Sequence, residues 1–422
     1  MKTLIKNARL ACPASGLDES GSLFLEDGII AAIGDVSEQA DETVDAGGLI
    51  AAPGLIDLRV KTGEPGAEQK ETLATASRAA VAGGVTSMVV MPDTDPVIDD
   101  VALVQFIANR GRETAKTRIY PAGALTKGLK GEAMAEIAMM SGSGAVFFTN
   151  GDLPVENASV LRRTMGYAAS CKAIVSSRPN EHSLGVNGVM NAGAQAARMG
   201  LSGLPREAEW IGLGRDLLLA EATGCTLLVD QVSTGRSMEM IREARRRGVR
   251  LHVSVAAHHL FFNELDVGDY LTYCKVNPPF RREEDRQALI DALVAGEIDA
   301  VVSAHDPQPP EEKRLPFGEA AFGAAGLETA LSALLALVQD ERIGLLDALR
   351  PVTASPADII GVPQGRLAVG APADIILFDP NKPWLCERED LRSRSLNSPF
   401  DGRRMVGRVN RTIIAGETVF ER

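Results

Sequence analysis

The sequence predicts an α/β protein: a (β/α)8 TIM barrel with a small β domain assembled from both chain ends. Three observations carry this. First, eight short apolar runs alternate with amphipathic stretches of helical length across the middle of the chain. Alternation of that kind implies a parallel sheet, and eight repeats imply a closed barrel. Second, the two ends share a different texture, short strand-like pieces broken by Gly/Asp turns. Third, no G-x-G-x-x-G follows the first run, which disfavours the runner-up, a doubly wound open sheet.

At the N-terminal end, residues 3–5, 22–25 and 28–33 read as strands, with the turn Glu26-Asp27-Gly28 between the last two. At the C-terminal end, 373–378 and 411–416 look alike, so the ends are expected to pair. The expected division is 1–52 plus 365–422 for the composite β domain and 53–364 for the barrel. The barrel strands are expected at 55–60, 87–91, 119–125, 145–149, 173–177, 226–232, 250–256 and 300–305. Among the intervening segments, 70–81, 153–170, 207–223, 236–247 and 283–295 suit helices. A Pro-rich loop, DPQPPEEKRLP, follows the eighth run, at the end where barrels place their active-site loops.

Bulk composition sets limits on function. The chain has 422 residues, enough for more than one structural unit, with 45% hydrophobic and 24% charged residues. A net charge of −12 argues against nucleic-acid or anionic-membrane binding, since both want a basic surface. The N-terminus lacks the apolar core of a signal peptide, and no apolar run reaches the length of a membrane span. Cys12, Cys171, Cys225, Cys274 and Cys386 are scattered and make no C-x-x-C. Reduced thiols in a cytoplasmic protein are the expectation, with neither zinc ribbon nor disulfide framework.

A family resemblance runs almost end to end. It rests on "PGLIDL" at 53–58, "EPG" at 64–66, "KET" at 70–72, "AGGVTSMVVMPDTDPV" at 82–97 and "GLSGLPREAEW" at 200–210. It continues through "VST" at 232–234, "HHL" at 258–260, "VNPPFR" at 276–281, "GLET" at 326–329, "GAPADIILFDP" at 370–380, "SPF" at 398–400 and "TIIAGETVF" at 412–420. With these motifs in this order the chain resembles the dihydroorotases, cyclic-amide hydrolases of the amidohydrolase superfamily. The resemblance implies a (β/α)8 barrel of the amidohydrolase type plus a small β-sandwich made from both termini.

It also implies a metal site, and here the sequence departs from the pattern. The family's first strand carries His-x-His, two imidazoles on one strand face that ligate one ion. This chain has Arg59 and Lys61. A guanidinium offers no lone pair, and a lysine must lose its proton before it binds metal. Where the family grips the substrate carboxylate with an arginine, this chain has Gly63; where strand two carries asparagine, it has Asp93. The carboxylate or modified-lysine positions of strand four fall on Asn150 and Gly151, with Asp152 one place on. The histidines expected on strands five and six are replaced by Ser176, in Ser176-Ser177-Arg178, and Gln231. On strand eight the aspartate position is Ala304, followed by a retained His305 and by Asp306.

His182, His252, His258 and His259 show no ligand spacing and are expected to be packed or hydrogen-bonded. "EPG" reads as a turn. Asn277 and Arg281, in the retained "VNPPFR", together with His305 and Asp306, are possible functional remnants. The resulting expectation is a chain with no catalytic residues, no metal and no cofactor. It would be a structural or regulatory subunit that partners aspartate transcarbamoylase of pyrimidine biosynthesis, in a homo-oligomer. Arg59 and Lys61 must then be neutralised by acids such as Asp57, Asp230 or Asp306, because a buried unpaired charge is costly. The alternative is an active cyclic-amide hydrolase, whether dihydroorotase, allantoinase-like or hydantoinase-like, with relocated ligands and bound zinc. A third reading, a small-molecule sensor or an enzyme of new chemistry, uses the cationic pocket for an anion.

Overall fold

The computed structural model describes residues 2–36 and 38–422. Eight parallel strands form the barrel: Leu55–Val60, Val85–Val90, a split third strand, Phe148–Thr149, Ile174–Ser177, Thr226–Val229, Leu251–Ala256 and Ala300–Val302. All eight coincide with the apolar runs of the sequence. The third strand is two pieces, Arg118–Pro121 beside strand two and Gly123–Ala124 beside strand four. The amide of Ala122 still donates to Val90 O and that of Gly123 to Phe147 O, both at 2.9 Å, so the wall is continuous. Strands one and eight close the circle. Val60 bridges His305, and the Lys61 amide donates to the His305 carbonyl at 2.9 Å.

Strand one is buried along its whole length, as expected of a barrel strand covered on both faces. Ile56, Leu58, Val89, Phe147, Leu228 and Val302 pack as one cluster. Leu55, Val60, Met88, Phe148 and Val253 join the larger core between strands and helices.

The helices end where their caps dictate. The stretch expected to be helical from residue 70 starts at Leu73, because the Thr72 side chain accepts from the Thr75 amide. The one expected from 153 starts at Ala158, capped by Asn157. The residues freed by this late start, 153–157, lengthen the loop that follows strand four. The helix Glu207–Thr223 has the expected bounds, Gly235–Arg246 is shifted by one residue at both ends, and Glu283–Val294 ends one residue early.

Both chain ends enter one eight-stranded sheet. Its strands are Lys2–Cys12, Leu17–Glu26, Ile29–Gly34, Glu42–Asp45, Ile50–Pro53, Ile375–Leu385, Arg404–Ile414 and Glu417–Glu421. Ile50–Pro53 pairs antiparallel with Ile375–Leu385 and so joins the two ends. Ile5, Leu10, Leu23, Ile30, Leu377 and Ile413 form its separate core. A buried carboxylate pins it to the barrel: Asp374 accepts from Arg118 of strand three at 2.7 Å. Among the described residues no helix is long and apolar enough to cross a membrane.

Candidate active site at the barrel mouth

The ends of strands one, four, five, six and eight bring a charge network together. Arg59, 4% exposed, extends its guanidinium between two carboxylates, donating to Asp230 and to Asp152. Lys61, two residues on, points the same way. Its ammonium lies 2.6 Å from Asp152, 2.9 Å from Asp93 and 3.2 Å from Asp306. Arg178, at the end of strand five, stands 3.3 Å from the Asp152 carboxylate and donates to the Asp152 carbonyl at 2.8 Å. Asp230 is held from behind by the Ser254 hydroxyl at 2.6 Å.

This arrangement fixes the charge states. Burial works against the Lys61 ammonium, but Asp152, Asp306 and Asp93 outweigh it and its pKa rises. The same balance raises Arg59, with Asp230 and Asp152 as the main partners. For Asp152, burial is the largest influence and favours the neutral acid. Arg178, Lys61 and Arg59 together overcome it and push the carboxyl well below its ordinary range. Arg178 goes the other way, lowered because burial exceeds the help from Asp152. Lys61, Arg59 and Asp152 are thereby each held in their charged form.

Asp57 does not take part, contrary to expectation. Its carboxylate turns to the backbone, accepting the Arg59 amide at 3.0 Å and the Ser303 amide at 3.1 Å. Burial raises its pKa to about 6, against the pull of those hydrogen bonds. The pairing register shifts between Asp57 and Val60, where the strand turns from Asp57 to Arg59. Asp152 and Asp93 do the work expected of Asp57.

The other substituted positions are placed as follows. Gly63 lies in the loop after strand one with φ of +69°, its carbonyl accepting the Ala67 amide at 2.6 Å. The Asn150 side chain turns away from the mouth and binds the Thr126 amide at 3.1 Å and the Leu129 carbonyl at 3.2 Å. Gly151, at φ +61°, opens the turn that swings Asp152 inward, and a Cβ there would meet Asp93 at 3.4 Å. Ser176 is buried on strand five. Gln231 and Ala304 end strands six and eight in the left-handed region, φ +53° and +52°. Both line the inner cavity, and Gln231 Oε1 has no partner there.

His305 is buried against Glu71, its Nε2 3.5 Å from the carboxylate but not hydrogen-bonded to it, while Nδ1 accepts the Gly326 amide at 3.3 Å. His258 and His259 are buried together, and desolvation holds both neutral at pH 7, His259 down to about 4. His258 reaches the inner cavity; His259 Nε2 faces the Pro279 carbonyl at 3.3 Å. Arg281 is packed away, donating to Ser233, Asn191 and Leu204 at 3.0 Å each, and so braces loops behind the mouth. Asn277 lines the cavity on the other side of Lys61.

The mouth opens into a cavity of about 350 Å³ lined by Lys61, Gly63, Lys70, Asp93, Asp152 and Asp306, with Asn277 and Phe322. That volume holds a small ring. Arg178 was not singled out from the sequence, and Asp152 entered it only as a possible replacement. The usable signal was the charge itself, since two buried cations on strand one demand acids at facing strand ends.

A barrel of this topology, with its charged site at the C-terminal ends of the strands, defines an amidohydrolase-type chain. The comparisons agree: residues 179–419 match the "Amidohydrolase family" and residues 47–237 the "Dihydro-orotase-like" family. The chain is 39% identical to a dihydroorotase of Syntrophotalea carbinolica over 421 residues, covering 100% of this chain and 99% of the relative. It is 40% identical to a dihydroorotase of Pelobacter propionicus over 424 residues, with both chains fully covered. It therefore belongs to the dihydroorotase family. Among solved structures, the L-hydantoinase (dihydropyrimidinase) of Arthrobacter aurescens superposes with a TM-score of 0.90 at 26% identity, covering 99% of this chain and 96% of that one. The dihydropyrimidinase of Brevibacillus agri shares the fold, with a TM-score of 0.87 at 21% identity, covering 100% and 95%.

Two expectations change on these findings. That the chain is not an enzyme is overturned by full-length relatives that carry an enzyme's name. That it takes no cofactor falls on the same ground, because zinc belongs to the family's pattern and membership of the family is shown. The residues present do not fit zinc held in the family's manner. Arg59 and Lys61 are protonated donors where imidazoles would ligate. Among the described residues no group of three His, Cys, Asp or Glu side chains is placed to hold a metal ion.

Proposed function

We propose that this chain opens and closes a cyclic amide ring, the reaction of a dihydroorotase-class enzyme, at the C-terminal mouth of its barrel. One observation carries the reading. A chain 39% identical to a dihydroorotase from end to end keeps a ring-sized cavity at the end of the barrel where catalysis is placed.

Lys61 sets a fixed positive charge at that cavity, where it can stabilise a ring carbonyl that gains negative charge on attack. Asp306, 3.2 Å from Lys61, offers a carboxylate able to take up a proton. Asp152 is too weak a base for that task and serves to hold Lys61 and Arg59 in place.

The test is direct. The purified protein, its metal content measured on the same sample, is assayed for cyclisation of carbamoyl aspartate and for hydrolysis of dihydroorotate, hydantoin and dihydrouracil. Turnover that Lys61→Ala removes supports the reading. Absence of turnover with every ring, at every metal loading tried, overturns it. In this reading the chain works in pyrimidine biosynthesis, with aspartate transcarbamoylase as protein partner and a homo-oligomer as its assembly. Light scattering of the protein alone and mixed with that enzyme tests both.

A further inference from the structure

A second cavity, of about 300 Å³, adjoins the loop that follows strand eight. It lies between the short helix Pro310–Lys313 and the stretch that joins the strands Ile375–Leu385 and Arg404–Ile414. Four cations line it, Lys313, Arg314, Arg388 and Arg394, against one acid, Glu389. In a chain of net charge −12 that is a local reversal of sign.

The excess holds when the partners of each group are counted. Glu389 is taken by Arg388 at 2.8 Å, and the Tyr273 hydroxyl accepts from the same guanidinium at 2.9 Å. Glu311 and Glu312, on the short helix, are exposed and do not line the cavity. Glu71 receives the backbone amide of Arg394, not its guanidinium. Among the described residues neither Arg314 nor Arg394 makes a side-chain hydrogen bond or an ion pair. Lys313 is 3% exposed, and its ammonium donates to the carbonyls of Thr272, Lys275 and Ala321 at 3.1, 3.2 and 2.7 Å. Among the described residues no carboxylate pairs with it. Asp306, which acts on it from a distance, is shared with Lys61. Two unpaired guanidiniums beside a buried ammonium suit a phosphate group. The guanidinium fork matches two phosphate oxygens, and the anion offsets the cost of burying the ammonium.

The wall between this cavity and the mouth adds a second requirement. Gln308 lines both and is 4% exposed. Its Nε2 donates to Asp306 at 2.8 Å, its backbone amide donates to Asn397 Oδ1 at 2.9 Å, and its Oε1 is buried without a partner. A buried acceptor left unmatched is costly. An ionised phosphate has no proton to give it, whereas a hydroxyl has one.

We propose that this cavity is a second binding site, separate from the barrel mouth, for a small phosphate monoester that also carries hydroxyl groups, of the sugar-phosphate type. The phosphate pairs with Arg314 and Arg394, and a hydroxyl donates to Gln308 Oε1. Because the same Gln308 amide holds Asp306, an occupant here touches the group that sets Asp306 beside Lys61. The proposal does not depend on which ring the mouth takes.

Calorimetric titration of the full-length protein with ribose 5-phosphate, inorganic phosphate and ribose tests it. Ribose 5-phosphate is expected to bind at least ~10-fold more tightly than inorganic phosphate, and ribose not at all at millimolar concentration. Replacing both arginines, Arg314→Ala with Arg394→Ala, is expected to weaken ribose 5-phosphate at least ~10-fold. Both side chains are exposed, so the melting temperature of the unliganded protein stays unchanged. Gln308→Leu is expected to bring ribose 5-phosphate down to the affinity of inorganic phosphate. Lys70→Ala, in the mouth cavity, leaves both affinities as they are. Binding that survives loss of both arginines, or that Lys70→Ala weakens as much, overturns the proposal. So does equal affinity for the ester and inorganic phosphate, or no binding of either at millimolar concentration.

Discussion

The ammonium of Lys61 lies 2.6 Å from one carboxylate oxygen of Asp152, and the other oxygen of that group takes the Arg59 guanidinium. Asp152 is therefore the hinge of the network: remove it and Arg59, Lys61 and Arg178 face one another across the mouth. Breaking one side of a buried charge network costs more than the network contributes as a whole, because the remaining charges stay buried. Asp152→Ala is expected to lower unfolding free energy by about 3 kcal/mol, read from the urea midpoint. A second change, Lys61→Met in the Asp152→Ala background, recovers part of the loss. A cost below about 1 kcal/mol would place the network in the class of surface pairs instead.

Asp57 gives a pH dependence of the opposite sign to ordinary acid unfolding. Its folded pKa, about 6, lies above the ordinary value of 3.8. The folded state therefore holds this proton more tightly, and stability falls as pH rises from about 4 through 6. The loss attributable to this group approaches about 3 kcal/mol at neutral pH. Asp57→Asn has no charge to bury, so its stability changes less between pH 4 and 7 than that of wild type. Denaturant midpoints across that range check it. Parallel curves for the two proteins refute the assignment to Asp57.

The barrel was legible because its signals are local. Apolar runs such as 55–60 and 226–232 carry their own periodicity, and caps such as Thr72 and Asn157 sit beside the helices they start. The demand for acids around Arg59 and Lys61 was legible too, and Asp230 and Asp306 answer it. What could not be read was which acids arrive. Asp57 stands two residues from Arg59 in sequence yet turns to backbone amides. Asp152 is far off in sequence but comes inward because Gly151 takes a left-handed turn and Asn150 is tied to Thr126. Arg178 joins only once strands four and five are side by side. Those outcomes depend on barrel closure, which no window of sequence contains.

The thiols give a compact check on burial. Cys12, Cys225, Cys274 and Cys386 are buried, and Cys171 is partly exposed. Burial pushes Cys225 up to about 11 and Cys274 and Cys386 up to about 12, so they carry almost no thiolate at neutral pH. A thiol reagent is expected to label one cysteine rapidly in the native protein and all five in denaturant, with Cys171→Ser removing the fast phase. A fast phase that survives Cys171→Ser would mean that one of the buried sites opens.

Gly63 occupies the position where the dihydroorotase resemblance implies a carboxylate-gripping arginine, so restoring that arginine looks like a simple gain of function. The backbone argues otherwise. Gly63 sits at φ +69°, and a Cβ there would lie 2.4 Å from the Ala67 carbonyl oxygen. That carbonyl cannot simply swing aside, since the Ala67 amide is itself bonded to Gly63 O at 2.6 Å and the turn leads into Lys70, whose amide donates to Ala67 O at 2.9 Å. Any side chain meets both a left-handed penalty and a clash, together about 2 kcal/mol or more. Gly63→Arg and Gly63→Ala are expected to lose similar stability, because the cost lies in the Cβ and not in the guanidinium. Neither is expected to tighten dihydroorotate by itself, since the displaced loop carries Lys70 away from the cavity. Thermal unfolding and titration of the two variants side by side settle the point. An arginine variant as stable as wild type, with tighter dihydroorotate binding, would show that this loop accepts the family residue and that its absence alone accounts for the missing grip.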